Sequence, residues 1–575
     1  RVSAQTSLCI LWFSDFMSAS RVLRRYALPT GAALGLTWAH DEFHGYQRIQ
    51  RTLLTVKTGA ILLYEYKVRW TPETSDDVHD RVSKRLVDCL KRNEGLYVKF
   101  GQAMATMDVV LPEEYKRELH TLHDKAATCS FPEARRVVEA ELGKRLEEVF
   151  LEFEEQPIAS ASIAQVHRAR LRPSAIGEAV SKESEGLQVA VKIQKPNIPA
   201  QNACDLATYK VILNVLEYAF DLPLAWTYDY TRRQLEAELD FRIEASNAQR
   251  AAKELDECPQ LRGKVMVPKV FDEVSGRHVM VMEWIDSIGA VSDGEALKRE
   301  GFSASEVMET ATKVFGYQIF STGHVHCDPH PGNLLVRLAP SECKKARQRW
   351  QLVLLDHGLY CELSNGLRQE YADFWVAATL GDAASAVQIC QRWGIVDKDA
   401  AELFASLTQF RRVRLGTGRV NAVSDLFAHG STKPQSPAKI HYRKLTPEET
   451  AAAQARLKAR AKKVLGDTKA FPQELFFVGR NLNIIRSANF NLGRIVNRVA
   501  ILAECAAEGS VLNGSLASLD STTRQIALFK FHARVWSLLV ADRFFKTWHS
   551  ANQIFMWSRG MLGKLYMCLL PDASE

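Results

Sequence analysis

Two short stretches carry residue types that are suited to phosphoryl-transfer chemistry. Residues 326–333 read His-Cys-Asp-Pro-His-Pro-Gly-Asn, and residues 354–358 read Leu-Leu-Asp-His-Gly. In phosphoryl-transfer sites of this spacing, the first Asp accepts the proton of the acceptor hydroxyl, and the Asn and the second Asp hold Mg²⁺. Carboxylate and amide oxygens suit this hard cation. The spacing therefore predicts Asp328 as the catalytic base and Asn333 and Asp356 as metal ligands.

The same residue types have two other interpretations. Asp, Pro, Gly and Asn form turns, so an isolated Asp-x-Gly predicts only a turn. Here both stretches occur in order, and the apolar runs 334–336 and 352–355 predict flanking strands. The side chains at 326–328 and 330 could also bind zinc, but zinc sites usually show a second cluster of ligands, and none follows in the sequence. The pattern favours the magnesium interpretation.

A third stretch predicts a lysine that contacts nucleotide phosphates. Residues 156–196 predict a strand, a long polar hairpin loop at 173–188 and a second strand that contains Val-Ala-Val-Lys-Ile. A buried ammonium must be paired with an anion. The pattern is that of the strand lysine that contacts the α and β phosphates of ATP in kinases. We predict this role for Lys192.

The phosphate-binding loop that should precede this lysine lacks glycine. A Gly-x-Gly-x-x-Gly-x-Val pattern laid over the first strand places alanine at all three glycine positions, 159, 161 and 164. Alanine adopts positive φ at a cost on the order of 1 kcal/mol, so we expect a stiffer loop with differently directed backbone N–H groups. With the end of the strand at 278–285 as the adenine-binding hinge, the predicted ATP-binding residues are Ala159, Ser160, Ala161, Ser162, Val166, Lys192, Glu283 and Ile285.

Composition limits the class of protein. A chain of 575 residues has room for several structural units, and its net charge of +7 is compatible with a nucleotide or an anionic membrane surface but gives no reason to expect nucleic acid. The eleven cysteines contain no Cys-x-x-Cys pair, which indicates reduced thiols in a non-secretory compartment.

The composition also changes along the chain. Residues 1–40 are basic, contain serine and are poor in acids, which is typical of a mitochondrial or plastid transit segment; their apolar runs are too short to predict a spanning helix, and both a removed peptide and a membrane anchor remain open. We predict a helical extension at 41–155, a catalytic domain at 156–400 and a helical carboxy-terminal extension at 401–575. The carboxy-terminal extension contains a basic loop at 411–450, which is either a solvated linker or a contact for anionic lipid.

The motifs together resemble the UbiB/ADCK (AarF-domain) family of atypical kinases, and the basic start resembles its mitochondrial branch. The resemblance covers roughly residues 80–400 and rests on motifs that occur in the family's order: Lys99-x-Gly-Gln102, the Ala-Ser-Ala-Ser loop, Val-Ala-Val-Lys-Ile-Gln, Glu238-Leu-Asp240-Phe-Arg-Ile-Glu244-Ala-Ser-Asn247, Met-Glu-Trp-Ile at 282–285 and the two stretches described first. It implies a two-lobed, kinase-like α+β fold with helical extensions at both ends. It also implies binding of ATP with Mg²⁺ and a role in coenzyme Q or mitochondrial lipid homeostasis.

The resemblance assigns further residues. Lys99 and Gln102 match a helical motif that covers the active site, and Glu238 and Asp240 match an acidic pair on a long helix. On one regular helix, two residues apart means roughly 200° of rotation, so both acids cannot face one cation. We expect Glu238 to pair with Lys99 or Lys192, with Glu236 as the alternative. A solvated acidic face is the other interpretation of this run.

The sequence after the second stretch argues against a protein kinase. A new helix is predicted at 367–377, only about eight residues after Asp-His-Gly, which leaves no room for an activation segment. Together with the family resemblance, this leads us to expect an ATPase or a kinase of a small or lipid-like, quinone-like molecule. The resemblance also implies a mitochondrial protein associated with the inner membrane. The alternatives are a nucleotide-sensing scaffold without catalysis and, third, a protein kinase.

Overall fold

The computed structural model describes most of the chain. The described residues are 41, 47–71, 73–105, 112–123, 128–177, 186–220, 227–340, 349–395, 398–409, 471–513, 515–537 and 539–540. The predicted targeting segment 1–40 and the basic loop 411–450 lie outside these residues. Within them, no helix combines the length and the apolar composition that crossing a bilayer requires.

The chain folds into two compact units. One unit comprises residues 1–148, 152–168 and 192–235, and the other comprises 149–151, 169–191 and 236–575. The helices that position the features discussed below are, in chain order, α1 (Arg48–Tyr64), α2 (Ser75–Asn93), α3 (Gly95–Ala105), α4 (Glu113–His120), α5 (Phe131–Leu142), α6 (Leu146–Val149), α7 (Ile198–Phe220), α8 (Thr227–Glu238), α9 (Phe241–Glu257), α10 (Gly294–Arg299), α11 (Ala304–Tyr317), α12 (Asn365–Leu380), α13 (Ala383–Arg392), α14 (Lys398–Gln409), α15 (Glu474–Asn491) and α16 (Arg498–Asn513).

The strands are short and form small sheets. They are β1 (Phe150–Phe153), β2 (Ala159–Ser160), β3 (Ala164–Leu171), β4 (Leu187–Gln194), β5 (Val265–Met266), β6 (Val279–Glu283), β7 (Gly289–Ala290), β8 (His324–His326), β9 (Leu334–Leu338), β10 (Trp350–Leu354) and β11 (Tyr360–Glu362). One sheet has the order β1-β3-β4-β6 with β2 against β3, a second has the order β5-β10-β9-β7, and β8 pairs with β11. Strands β3 and β4, and β9 and β10, confirm the strands that the sequence predicts around the motifs.

The first unit contains a helical core. Apolar side chains of α2, α3 and α4 pack together, among them Val78, Val82, Tyr97 and Leu119. These residues recur at helical spacing, so each helix directs one apolar face inward.

The apolar residues over 131–153 recur at a spacing that would allow one helix, but the structure divides this segment. Helix α5 begins with a capping box between Ser130 and Glu133 and ends at Gly143, which has φ +63°. Glycine adopts this left-handed conformation without steric cost and so terminates the helix. The chain then forms α6 and strand β1.

The second unit is built around two clusters of buried side chains. One joins Phe320, Trp375 and Phe404 to Leu482 and Leu502 of the carboxy-terminal helices. The other joins strand residues such as Leu334 and Leu352 to α11 and to Ile485. Helices α15 and α16 therefore share their cores with the segments that carry the catalytic motifs. The domain boundary at 400 stays a prediction.

Candidate active site

A β-hairpin brings the two predicted metal ligands to one end of a sheet. Strands β9 and β10 are antiparallel, and Leu334 pairs with Leu354. The flanking Asn333 and Leu355 continue this register, because the Leu355 N–H donates to the Asn333 carbonyl over 2.8 Å. Asp356 follows directly, so the strand pairing fixes the positions of Asn333 and Asp356 on adjacent chain segments.

The local conformation of both residues suits a divalent cation. The side-chain NH₂ of Asn333 donates to the carbonyl of Asp328 over 3.2 Å, which leaves the amide oxygen as the ligand atom. Asp356 has φ +54°, an uncommon conformation for a residue other than glycine and one that is frequent at functional turns. A carboxylate and an amide oxygen fit Mg²⁺, which takes its remaining ligands from water and phosphate. Within the described ranges, no group of three or more His, Cys, Asp or Glu side chains is placed to hold a metal ion.

Three acidic side chains surround Gly358. A Cβ atom built on this glycine lies 3.2 Å from Oδ1 of Asp356, 3.6 Å from Oε2 of Glu244 and 3.9 Å from Cγ of Glu238. Glu238 and Glu244 are buried, with 7% and 3% of their surface exposed. Glycine is therefore the residue that lets these carboxylates approach the Asp-x-Gly turn.

Replacing Gly358 with alanine should impair the metal site without unfolding the protein. The added methyl must displace the Asp356 carboxylate by a few tenths of an ångström, and misplacement of this kind is expected to reduce turnover roughly tenfold or more and to raise the Mg²⁺ concentration needed for half-maximal activity. The control is Gly366→Ala in α12, where an added Cβ meets nothing within 4 Å. Titrating Mg²⁺ in a turnover assay tests this, and an unchanged Mg²⁺ requirement would contradict it.

Two buried histidines, His326 and His357, lie beside the predicted catalytic residues. His326 accepts the Asp328 N–H on Nδ1 over 3.0 Å, and its carbonyl accepts the side-chain amide of Asn481 over 2.6 Å. Burial lowers the pKa of His326, and the nearby carboxylates of Asp328 and Asp356 oppose this only in part. His357 is 4% exposed and stacks on Tyr360, so it is part of the core. Neutral His326 orients the backbone of residues 326–333, which form the predicted catalytic loop.

Stability should fall as the pH falls below that of an ordinary histidine. His326 and His167 are both fully buried, and burial lowers the pKa of each. The unfolded chain takes up these protons near pH 6.5, whereas the folded protein does not. The contribution of each histidine to the free energy of unfolding is therefore fully present above about pH 6.5. Below that pH, the free energy of unfolding falls by up to about 1.4 kcal/mol per pH unit for each histidine. Thermal unfolding at about pH 7.5 and about pH 5.5 measures this. A midpoint that does not fall contradicts it, and His532→Gln, at an exposed histidine, serves as the control that keeps the same pH dependence.

The alanine-rich loop is a tight hairpin. Ala159 pairs with Val166 and Ser160 with Gln165, and the Ala161 N–H donates to the Ala164 carbonyl over 2.8 Å. None of the loop residues at 159–164 has positive φ. Alanine therefore fits this backbone without the cost that it would have in a loop that requires positive φ.

Two polar groups at this hairpin suit an anion, Ser162 within it and Lys195 directly after β4. Lys195, which is 6% exposed, donates from Nζ to the Ala161 carbonyl over 2.7 Å. The hydroxyl of Ser162 is buried and has no hydrogen-bond partner among the described residues. A buried hydroxyl of this kind is stabilised by an acceptor such as a phosphate oxygen. This observation fits the predicted nucleotide-binding loop.

The remaining predicted residues lie on regular elements. Lys192 is half-buried in β4, and Lys99 and Gln102 lie in α3, where the Gln102 side chain donates to the Leu122 carbonyl over 3.1 Å. Glu283 ends β6 and accepts from the guanidinium of Arg337 over 3.4 Å. Ile285 follows that strand and is half-buried. The assignment of these residues to ATP stays a prediction.

The acidic pair does not lie on one helix. Helix α8 ends at Glu238, and Asp240 is the N-cap of α9, where its side chain accepts the Arg242 N–H. Asp240 also forms an ion pair with the Arg242 side chain at 2.6 Å. The rotation argued for one continuous helix therefore does not apply. Burial distinguishes Glu238 from Glu236, which is exposed; the pairing of Glu238 with a lysine stays a prediction.

Several contributing residues were not predicted from the sequence. Asn247 donates its side-chain amide to the His357 carbonyl over 3.0 Å, and Glu244 lies beside the Asp-x-Gly turn. Both lie within the family motif that begins at Glu238, and this motif was the sequence signal that could have marked them as part of the site. Arg480 forms an ion pair with Asp328 at 3.0 Å from helix α15. No local pattern marks Arg480, because it lies far along the chain from the catalytic loop.

Comparison with known proteins identifies relatives across most of the chain. Residues 121–390 match the model of the ABC1 atypical kinase-like domain. An ABC1 family protein of Schizosaccharomyces pombe is 35% identical over 490 residues, which cover 84% of this chain and 83% of that protein. An AarF domain-containing protein kinase 1 of Gallus gallus is 34% identical over 394 residues, which cover 66% of this chain and 71% of that protein.

These matches confirm the family resemblance and the kinase-like α+β fold class that the motifs predict. The matched domain contains the alanine-rich loop, Lys192, the catalytic loop and the Asp-x-Gly turn. The chain belongs to the ABC1 family of atypical kinase-like proteins.

Proposed function

We propose that this protein binds ATP with Mg²⁺ and either hydrolyses it or transfers its γ-phosphoryl group to a small, lipid-like or quinone-like molecule. We place this activity in the mitochondrion, at the inner membrane, in support of coenzyme Q or lipid homeostasis. The family match supports the kinase-like part of the proposal. The substrate class and the location rest on the family resemblance and on the basic, acid-poor composition of residues 1–40.

The hairpin β9–β10 is the observation that carries the proposal. It holds Asn333 and Asp356 on adjacent segments through the Leu355–Asn333 backbone bond. The same asparagine bonds to the carbonyl of Asp328. One short network thus fixes the three residues whose spacing first indicated phosphoryl transfer.

Each group has a separate role in this proposal. Asn333 and Asp356 would hold Mg²⁺, which neutralises charge on the phosphates when bound. Asp328 accepts the proton of the attacking hydroxyl or water. Lys192 binds the α and β phosphates, and Ser162 donates its hydroxyl to a phosphate oxygen.

The segment after the turn favours a small acceptor over a peptide. Strand β11 begins at Tyr360 and pairs with β8, and helix α12 begins at Asn365 with Ser364 as its N-cap. The chain is therefore in regular structure almost immediately after Gly358. Protein kinases use a longer segment at this place to order the site and admit the peptide.

Nucleotide turnover by the full-length purified protein tests the proposal. ATP hydrolysis and phosphoryl transfer would be measured with Mg²⁺, with and without vesicles that carry anionic lipids or quinone-like headgroups. We expect Mg²⁺-dependent turnover that one of these additions stimulates. Nucleotide binding without turnover under every condition would favour the alternative, a nucleotide-sensing scaffold. Peptide phosphorylation that Asp328→Asn abolishes would favour a protein kinase.

A further inference from the structure

Helix α15 holds the catalytic loop through two successive side chains. Nη2 of Arg480 lies 3.0 Å from Oδ1 of Asp328, and Nδ2 of Asn481 donates to the His326 carbonyl over 2.6 Å. Asn481 is fully buried, and the side chains of Arg480 and Asp328 are 19% and 23% exposed. The helix thus contacts both the backbone and the reactive carboxylate of the loop.

The catalytic loop has no permanent cation of its own. Residues 326–333 contain neither Arg nor Lys. The Nδ1 atom of His330 already accepts a hydrogen bond from the Gly332 N–H over 3.1 Å. A positive charge beside Asp328 therefore has to come from another part of the chain, and α15 supplies it.

The guanidinium of Arg480 is only partly used by the protein. Its Nε is buried and has no hydrogen-bond partner in the part of the chain that the structure describes. An unsatisfied buried donor costs stability and calls for an explanation, such as an ordered water, an ion or a role in the site. A rigid guanidinium fork restricts a bound carboxylate more strongly than a flexible ammonium does.

We propose that Arg480 is a positioning residue that holds the Asp328 carboxylate in the orientation required for phosphoryl transfer. This inference rests on the proposed function. Arg480 lies outside the matched kinase-like domain, which ends at residue 390. The carboxy-terminal helix is therefore a component of the catalytic centre as well as of the core.

Substitution of Arg480 separates positioning from structure. For Arg480→Ala we expect kcat to fall by about 10²-fold, because a misplaced catalytic group costs this much. The KM for ATP and the nucleotide affinity should stay unchanged, since Arg480 acts through Asp328. Arg480→Lys keeps the charge without the fork and should retain an intermediate kcat. Guanidinium chloride at low concentration should partly restore kcat of Arg480→Ala, relative to sodium chloride at the same ionic strength.

The controls distinguish the outcomes. Gly479→Ala changes the adjacent position of α15, where an added Cβ meets nothing within 4 Å, and should keep full kcat. If Arg480→Ala does not fold, Arg480→Lys provides the test, and its kcat should lie below that of the wild-type protein. A wild-type kcat in the arginine variants overturns this inference and leaves the proposed function intact. A wild-type protein that binds ATP without turning it over overturns both.

Discussion

Asp328→Asn is expected to lower ATP turnover by about 10²–10⁴-fold, the range that a general base contributes. The asparagine keeps the shape of the side chain and can still accept a hydrogen bond from Arg480, whereas it cannot take up a proton. Nucleotide affinity should remain close to that of the wild-type protein, because Asp328 is not among the groups assigned to the phosphates or the metal. Turnover and nucleotide binding, measured on the same preparation, check this.

A second aspartate provides the matched control for this substitution. Asp293 caps helix α10 by accepting the Ala296 N–H over 2.9 Å, and asparagine is an equally good N-cap. Asp293→Asn should therefore keep full turnover. The Asp328–Arg480 pair is partly exposed and the asparagine keeps a hydrogen bond to Arg480, so loss of the charge attraction should change stability by no more than about 1 kcal/mol. Wild-type turnover in Asp328→Asn would show that this carboxylate is not the base.

The parts of the site that the sequence predicts are those encoded by short local patterns. Leu334–Leu338 and Trp350–Leu354 form strands because their apolar side chains fit a buried sheet, and the polar residues at their ends then lie together. The same holds for the hairpin at Ala159–Ser160, where a short run of small residues forms a turn. Pattern and geometry agree wherever the residues that decide the structure are neighbours in the chain.

The features that the sequence does not predict depend on a single residue or on distant contacts. Gly143 ends α5 and Asp240 begins α9, and each divides a helix that the apolar periodicity alone would continue. Periodicity reports which face of a helix is buried, but a cap decides where the helix stops. Arg480 illustrates the other limit, because its contact with Asp328 exists only after α15 has packed.

The two parts of the candidate site also differ in how far the residue types alone determine their chemistry. Asn333 and Asp356 offer oxygen ligands that suit Mg²⁺. The alanine-rich loop gives no such indication, since alanine contributes only a methyl group. Its chemistry depends on the buried hydroxyl of Ser162 and on Lys195, and these become informative only once their burial is known.

Asp356→Asn is expected to remove Mg²⁺-dependent nucleotide binding along with turnover. Asp356 has φ +54°, and asparagine tolerates this left-handed conformation better than most residues, so the variant changes the charge with little change of the backbone. Loss of an anionic ligand should weaken Mg²⁺-dependent ATP affinity by at least about 10–100-fold, the cost that even outer-shell substitutions at metal sites reach. ATP affinity measured with and without Mg²⁺ separates this loss from a general weakening, and Asp382→Asn, at the exposed N-cap of α13, is the control that should keep the wild-type response. Because the asparagine fits the turn, a variant that binds and turns over ATP with the wild-type Mg²⁺ dependence would rule out Asp356 as a metal ligand, whereas equal losses with and without Mg²⁺ would indicate a damaged nucleotide site instead.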